Sequence, residues 1–581
     1  MKSTLLLISF ISLSTNAVIA STNFSLCLAE IIQNNNNTSS PWFNKLLDHN
    51  GVPVPLNDTS RGKSISYKTC VDACGHGQER FQWSTFSQEF SAWLLPYLAL
   101  LSQLPFGAQD KLENLSSVLL TLGSPTLAAY SIAITILNGR WIARLFSSHS
   151  YPNTRNAIRI LSSLQQAPLQ ISLDPYLLSS LIILPENDEW WAELVVWIDY
   201  THTWSISAAT SVAWVLIAYV FTVIDSFTDI TGSYNVSGQG VGSAWLWLLP
   251  VVIAWLQISP KCDSLRVYQA VRRANEIAFV ATQDGGVRLA ADVNAQRAIY
   301  LQKKRNPLYS DQYITAPVFN YSRVFSWTIT VEIISEYFRE ATRRADLFEP
   351  VSSRQRWLPG NRNVRIRPEN RSGTSREVED YCKPDLNPSP KSFGSGIWMR
   401  VVLASILAVS LQWGTAGAAI LVVIRTPTTG LGCRSGAYIL YAGISTVVWA
   451  MLVLSSILAH YVSTLQVDFP HRRWKTTNYR AKLATWISVL LRKLAKVLAT
   501  ANAVWIVITC LFQFSAFFDR CYCNSSVLGR GAERAFDVMD PSDDVASMQA
   551  AWIGGVVLAS GTAFLFLLFV NTMIDPALPD E

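Results

Sequence analysis

Apolar residues in this chain gather into long unbroken blocks separated by polar stretches, where an ordinary soluble domain would alternate or repeat every three to four positions. Seven blocks approach the roughly 20 residues needed to cross a bilayer as a helix. They lie near 115–138, 204–225, 244–260, 397–424, 437–460, 497–518 and 551–573. The pattern predicts an all-α, polytopic helical membrane protein with about seven transmembrane helices. A shorter block, 90–106, carries Pro96 and Pro105 and is expected to lie in the outer interface or to re-enter. If it crosses instead, a further crossing near 169–185 is required, and an eight- or nine-span arrangement is the alternative.

Charge supplies direction, because Lys and Arg collect on the cytoplasmic side of membrane helices. Residues 261–395 hold 22 Lys/Arg against 15 Asp/Glu. Arg140, Arg144, Arg155 and Arg159 follow the first block, and eight basic residues lie between 462 and 496. Seven crossings with the N-terminus outside and the C-terminus cytoplasmic place all three basic regions on one side. The resulting organisation is a signal peptide over 1–20, with a basic tip, an apolar run and small residues near Ala20. An extracytoplasmic segment follows over 21–88, then a first membrane region over 89–260. Next come a cytoplasmic basic domain over 261–395, a second membrane region over 396–573 and a cytoplasmic tail over 574–581.

This sidedness sorts the cysteines and sequons. Cys27, Cys70, Cys74, Cys433, Cys521 and Cys523 fall outside, an even set suited to disulfides in an oxidising compartment. Cys521 and Cys523 are too close to pair with each other easily, so each reaches a different partner. A link from Cys433 to one of them would staple the last four spans. Cys70 and Cys74, with His76 nearby, also have metal-like spacing, but the compartment favours disulfides. The sequons at Asn23, Asn36, Asn37, Asn57, Asn235 and Asn524 all fall outside and are glycosylation candidates.

Composition agrees with the class: 50% of residues are hydrophobic, 15% are charged, and mean hydropathy is +0.22. The middles of the spans are nearly free of ionisable groups, which argues against an ion-coupled transporter. Gln412, Asn502 and Gln513 read as interhelical hydrogen bonders. Trp141, Trp204, Trp245, Trp247, Trp398 and Trp552 read as interfacial anchors. The region 350–395 reads as a flexible basic linker facing the anionic inner leaflet, and 480–498 as a basic amphipathic helix lying in the headgroup layer.

No phosphate loop, dinucleotide fingerprint, zinc pattern or serine elbow occurs, so an enzymatic role, a cofactor and a metal are not expected. The weak site candidates are Asp199 and His202, near Glu186, Asp188, Glu189, Trp190 and Trp191; the alternative is a solvated loop with interfacial tryptophans. Expected partners are the bilayer and a membrane or cytosolic protein, with no nucleic acid.

Two loops, Thr428-Thr429-Gly430-Leu431-Gly432-Cys433-Arg434-Ser435 and Cys521-Tyr522-Cys523-Asn524-Ser525-Ser526, carry a resemblance together with Trp93-Leu94-Leu95-Pro96-Tyr97-Leu98 and Gly123-Ser124-Pro125. The chain resembles an uncharacterised family of multi-spanning integral membrane proteins of filamentous fungi (ascomycetes), over most of its length after Cys70. The resemblance implies a secretory-pathway membrane protein and transfers no functional residue. The expected role is non-enzymatic, as a scaffold or sensor at the cell surface or in the secretory pathway; the alternative is a passive transporter or channel.

Overall fold

A block of apolar residues with no internal charge is most stable as a helix that buries its own backbone polar groups, and the apolar blocks here do form helices. In the computed structural model, residues 21–55, 61–104, 110–172, 174–200, 204–228, 238–302, 307–360, 365–384, 393–394, 396–467 and 479–578 are described. The proposed signal segment, Asn57, His202 and Asn235 lie outside the described residues. Among those described, the fold is overwhelmingly helical, with strands only two or three residues long.

The membrane bundle begins with α1 (Trp83–Glu89), which runs through a π turn over Phe90–Leu94 into α2 (Leu95–Leu101). Next come α3 (Lys111–Gly123) and α4 (Pro125–Leu145), then α5 (Ile206–Thr228). The pair α6 (Gly238–Trp245) and α7 (Leu248–Ile258) makes one apolar rod. After α8 (Val324–Asp346) come α9 (Ile397–Arg425), α10 (Cys433–Val467), α11 (Tyr479–Phe514) and α12 (Val545–Met573). Six helices or rods are long and apolar enough to cross a membrane: α5, α6–α7, α9, α10, α11 and α12.

The block at 115–138 departs from the expected straight span. It is broken at Ser124, and α3 and α4 meet at 102°. Pro125 has no N–H to continue the ladder of α3, and it suits the first turn of a new helix. The Ser124 hydroxyl caps that turn by accepting from the Leu127 N–H at 3.3 Å. The break lies inside the bundle. Ser124 Oγ donates to the Ser445 carbonyl at 2.7 Å, and Ser445 sits about 18 Å along α10 from its start. α4 then forms the buried centre, with every residue from Pro125 to Ile136 buried.

Residues 83–101, expected to lie in the outer interface or to re-enter, pack along α5. They run antiparallel to α5: Tyr97 neighbours Tyr219, and Gln103, just beyond α2, donates to Ser207 in the first turn of α5 at 3.3 Å. Tyr97 also donates to the Gly242 carbonyl at 2.8 Å. α1–α2 thus lies along α5, while α3–α4 turns within the bundle.

A second core lies at the opposite end of the bundle from the disulfides. It joins residues 142–200 to 267–382, so the basic domain is built from two chain segments. The stretch 169–185 does not cross the membrane. Leu169–Ile171 pairs as a strand with Ile299–Leu301, and helix Pro175–Ile183 is buried in this lobe. Among the described residues of the expected flexible linker, 350–360 and 365–382 contribute anchors to this core. Val351, Ile366, Val378 and Tyr381 enter the core, and buried Arg371 binds Asp188 at 2.6 and 2.8 Å. Trp245, Trp247 and Trp552 are buried inside the bundle, although their positions suggested interfacial anchors.

The segment 480–498 belongs to the single 36-residue helix α11, with no bend separating it from the span. Its charges explain why it need not lie flat. Lys496 Nζ donates to Asp311 Oδ1 at 2.6 Å, and Arg492 lies 3.9 Å from the same carboxylate, which is 1% exposed. Two of the charges expected to face lipid headgroups thus share one buried carboxylate within the protein. Replacing Asp311 with Asn is expected to lower stability by about 3–5 kcal/mol, because two cations lose their buried counter-charge; thermal unfolding of the purified protein measures this.

Candidate functional site

The cap at the disulfide end is assembled by short elements that could not hold themselves. Strand Ser64–Ser66 pairs with Leu46–Leu47 on one side and with Phe536–Val538 on the other. Three sulfur pairs close the assembly: Cys27 with Cys74, Cys70 with Cys521, and Cys433 with Cys523. All six cysteines expected outside are paired, and Cys521 and Cys523 take different partners. Cys70 and Cys74 also take different partners, so the two do not form a metal-binding pair. Cys262, Cys382 and Cys510 are free and buried.

Against this cap lies a cavity of about 490 Å³, where four chain segments meet above the bundle. Glu79, Asp519 and Asp537 contribute carboxylates to its lining, Arg80 a guanidinium, and Phe24 and Phe514 apolar faces. Asp519 is committed to an ion pair with Arg434. Glu79 accepts from the Phe24 N–H at 3.2 Å. Asp537 is 4% exposed and forms no salt bridge among the described residues. Burial, with Asp519 adding repulsion, pushes its carboxyl up to about 7; burial likewise raises Glu79. Cys70 Sγ is 3.9 Å from Asp537 but is bonded to Cys521, so it has no proton to donate. This cavity went unnoticed in the sequence because its walls come from residues 24, 79–85, 427 and 514–539.

The glycosylation candidates differ in setting. Asn36 and Asn37 are exposed; Asn23 is exposed and caps the helix Phe24–Asn34 through the Leu26 N–H at 3.1 Å. Asn524 is half-buried at the cavity, with its Oδ1 enclosed.

Asp199 ends the helix Asp188–Ile198 and lies 3.6 Å from the Lys261 ammonium, itself buried and bonded to the Tyr200 carbonyl. This is an interlock between the two halves of the lobe. The neighbouring tryptophans are neither interfacial nor solvated: Trp190 and Trp191 are fully buried and pack edge to face at 4.7 Å. Among the described residues, no group of three or more His, Cys, Asp or Glu could hold a metal ion.

The polar residues foreseen inside the spans have unequal roles. Asn502 Nδ2 donates to the Gly123 carbonyl at 2.8 Å and to the Tyr441 carbonyl at 3.1 Å, which ties the α3–α4 break to α10 and α11. The side-chain amide of Gln412, on α9, is buried with no hydrogen-bond partner among the described residues. Replacing Asn502 with Leu leaves the last carbonyl of α3 buried and unpaired, a cost of about 1–3 kcal/mol. Thermal unfolding in detergent is expected to show that loss.

The chain matches no family model, no curated protein and no solved structure.

Proposed function

We propose that this is a non-enzymatic integral membrane protein of the secretory pathway or cell surface, with a sensory or scaffolding role, which couples an extracytoplasmic cap to a cytoplasmic lobe. One observation carries the reading: α11 touches both ends. Lys496 binds Asp311 beside the lobe. Phe514, the last residue of the same helix, lines the cap cavity. The chain then leads directly to Cys521 and Cys523.

The sidedness follows from the positive-inside rule and the redox preference of the cysteines. Counting α1–α2 as a crossing and α3–α4 as a re-entrant pair preserves seven crossings and an outside N-terminus. It also keeps the lobe segments 142–200 and 267–382 on one side. The bilayer and a cytosolic protein remain the expected partners.

Hydrogen exchange tests the coupling. Cys70→Ser removes the link between the N-terminal segment and the last loop, and is expected to speed exchange in residues 307–323 and 479–496 at the far end. Unchanged exchange there overturns the coupling. A passive transporter or channel is the second reading, favoured by the bent pair α3–α4 and by buried hydroxyl or amide groups at Gln412, Tyr438 and Thr509 with no hydrogen-bond partner among the described residues. Solute flux through proteoliposomes above that of empty vesicles would replace the first reading with this one.

A further inference from the structure

The end of the lobe farthest from the bundle carries a surface that the fold does not use. α8 begins in the bundle, where Phe325 stacks on His460 at 5.4 Å. It continues the course of α4 beyond its end. Trp327 meets Trp141 at 5.9 Å, Ser335 Oγ meets His149 Nε2 at 2.9 Å, and Phe338 meets Phe146 at 5.8 Å. Twenty-three residues of helix carry the chain about 34 Å from its start in the bundle core.

At that tip Leu347 is 56%, Phe348 68% and Leu358 41% exposed. Phe348 adopts φ +57°, a left-handed conformation that bulky side chains rarely take. Its ring stands against Trp357 at 5.9 Å. The patch is held in shape: Asn370 grips Leu358 by two hydrogen bonds of 2.8 and 2.9 Å, and Pro359 bridges to Ile366. Beside it in the chain are Arg354, Arg356 and Arg367, all exposed and with no ion pair among the described residues, against the exposed Glu349 and Glu369, so cations outnumber carboxylates. Arg365 is paired with Asp346 at 3.0 Å.

Exposed apolar side chains ringed by cations are a protein-docking surface when no membrane is within reach. We propose that this tip docks an acidic amphipathic segment of a partner protein, whose aliphatic or aromatic side chains cover Phe348 and Leu358 while its carboxylates meet Arg354, Arg356 and Arg367. The proposal deepens the sensory or scaffolding reading by giving the lobe an output surface.

The test uses the full-length protein in detergent and three labelled 15-residue helical peptides. One presents Leu and Phe on one face and Glu on the other; the second replaces every Glu with Gln; the third replaces every Glu with Lys. By fluorescence anisotropy the Glu peptide is expected to bind at least tenfold more tightly than the Gln peptide, and the Lys peptide not at all. Binding is expected to weaken with salt. Phe348→Ser is expected to weaken it at least tenfold, and Arg354→Glu with Arg356→Glu to abolish it. Because both sites are exposed, unchanged thermal unfolding shows that these variants fold. Equal binding of the Glu and Gln peptides, no binding, or binding indifferent to these substitutions overturns the proposal. Co-flotation with phosphatidylserine vesicles that depends on Phe348 and these arginines also overturns it, in favour of a lipid surface. Loss of cap–lobe coupling in the exchange experiment leaves the peptide result standing, so the two readings fail separately.

Discussion

Gly123→Val is expected to abolish accumulation of folded protein, the largest single-residue effect this structure implies. A Cβ at position 123 would lie 1.9 Å from the carbonyl oxygen of Ala499 and 2.6 Å from its carbon. Those atoms are backbone in the middle of α11, so no rotamer change relieves the clash; either α3 or α11 must move. Movement of α3 would also pull the Gly123 carbonyl from Asn502 and disturb the Ser124–Ser445 contact. Overpacking of an ordinary core costs about 1–3 kcal/mol, and a backbone collision at a three-helix junction exceeds that. Size-exclusion chromatography of a fluorescent fusion should show aggregate or no peak. Gly443→Ala, on neighbouring α10, is the control: nothing lies within 4 Å of its Cβ, and a normal monodisperse peak is expected. A normal peak for Gly123→Val would mean that α3 and α11 do not meet as described.

The cap is expected to loosen as pH rises from about 4 to about 7. Asp537 titrates near 7 in the folded cap, against an ordinary value of 3.8, because burial disfavours its charge and Asp519 repels it. Between those values the folded state holds a proton that the unfolded state releases. The stabilisation is therefore complete below about pH 4 and is lost as pH climbs through about 7, and it amounts to on the order of 4 kcal/mol. The groups acting on the Asp537 carboxyl are Asp519, Arg434 and Asn524. Glu79, also raised by burial, adds to the same trend. Lys63 and Asp543, paired at 2.8 Å, act oppositely but only under acid conditions, where the lowered Asp543 takes up its proton. Hydrogen exchange of residues 64–66 and 536–538, measured from pH 5 to 8 and corrected for intrinsic rates, should show falling protection. Asp537→Asn should flatten that slope. An identical slope in the variant assigns the effect to another group.

What could be read from the chain depended on whether the controlling interaction was local. The blocks around α5, α9, α10 and α12 carry their own instruction, since about twenty apolar residues without charge have one stable form in lipid. The six cysteines sorted themselves by loop charge and the link from Cys433 to Cys521 or Cys523 was foreseen, but the other two pairings did not follow, because they depend on how the cap folds. Gly123-Ser124-Pro125 was visible, but a hydropathy window registers composition and not direction, so a bent pair and a straight span looked alike. Residues 83–101 carry Glu89 and Pro96, which depress their apolar score. The basic half of α11 looked amphipathic because its counter-charge, Asp311, lies 185 residues away from Lys496. The tip around 350–371 looked like linker because arginines and prolines conceal a few anchors, among them Val351, Ile366 and the buried Arg371. The cap cavity was illegible for a related reason: Glu79 and Asp537 become neighbours of one space only after the chain has traversed the bundle.

The bond between Cys70 and Cys521 spans 451 residues. At about 5–20 residues per second, a ribosome needs roughly 20–90 s to deliver the second sulfur after the first. During that interval Cys27 and Cys74, only 47 positions apart, can already join, while the mate of Cys70 has yet to be made. Cys70 can therefore find its mate only once nearly the whole chain exists, so this link between the two ends of the sequence is a late one to form.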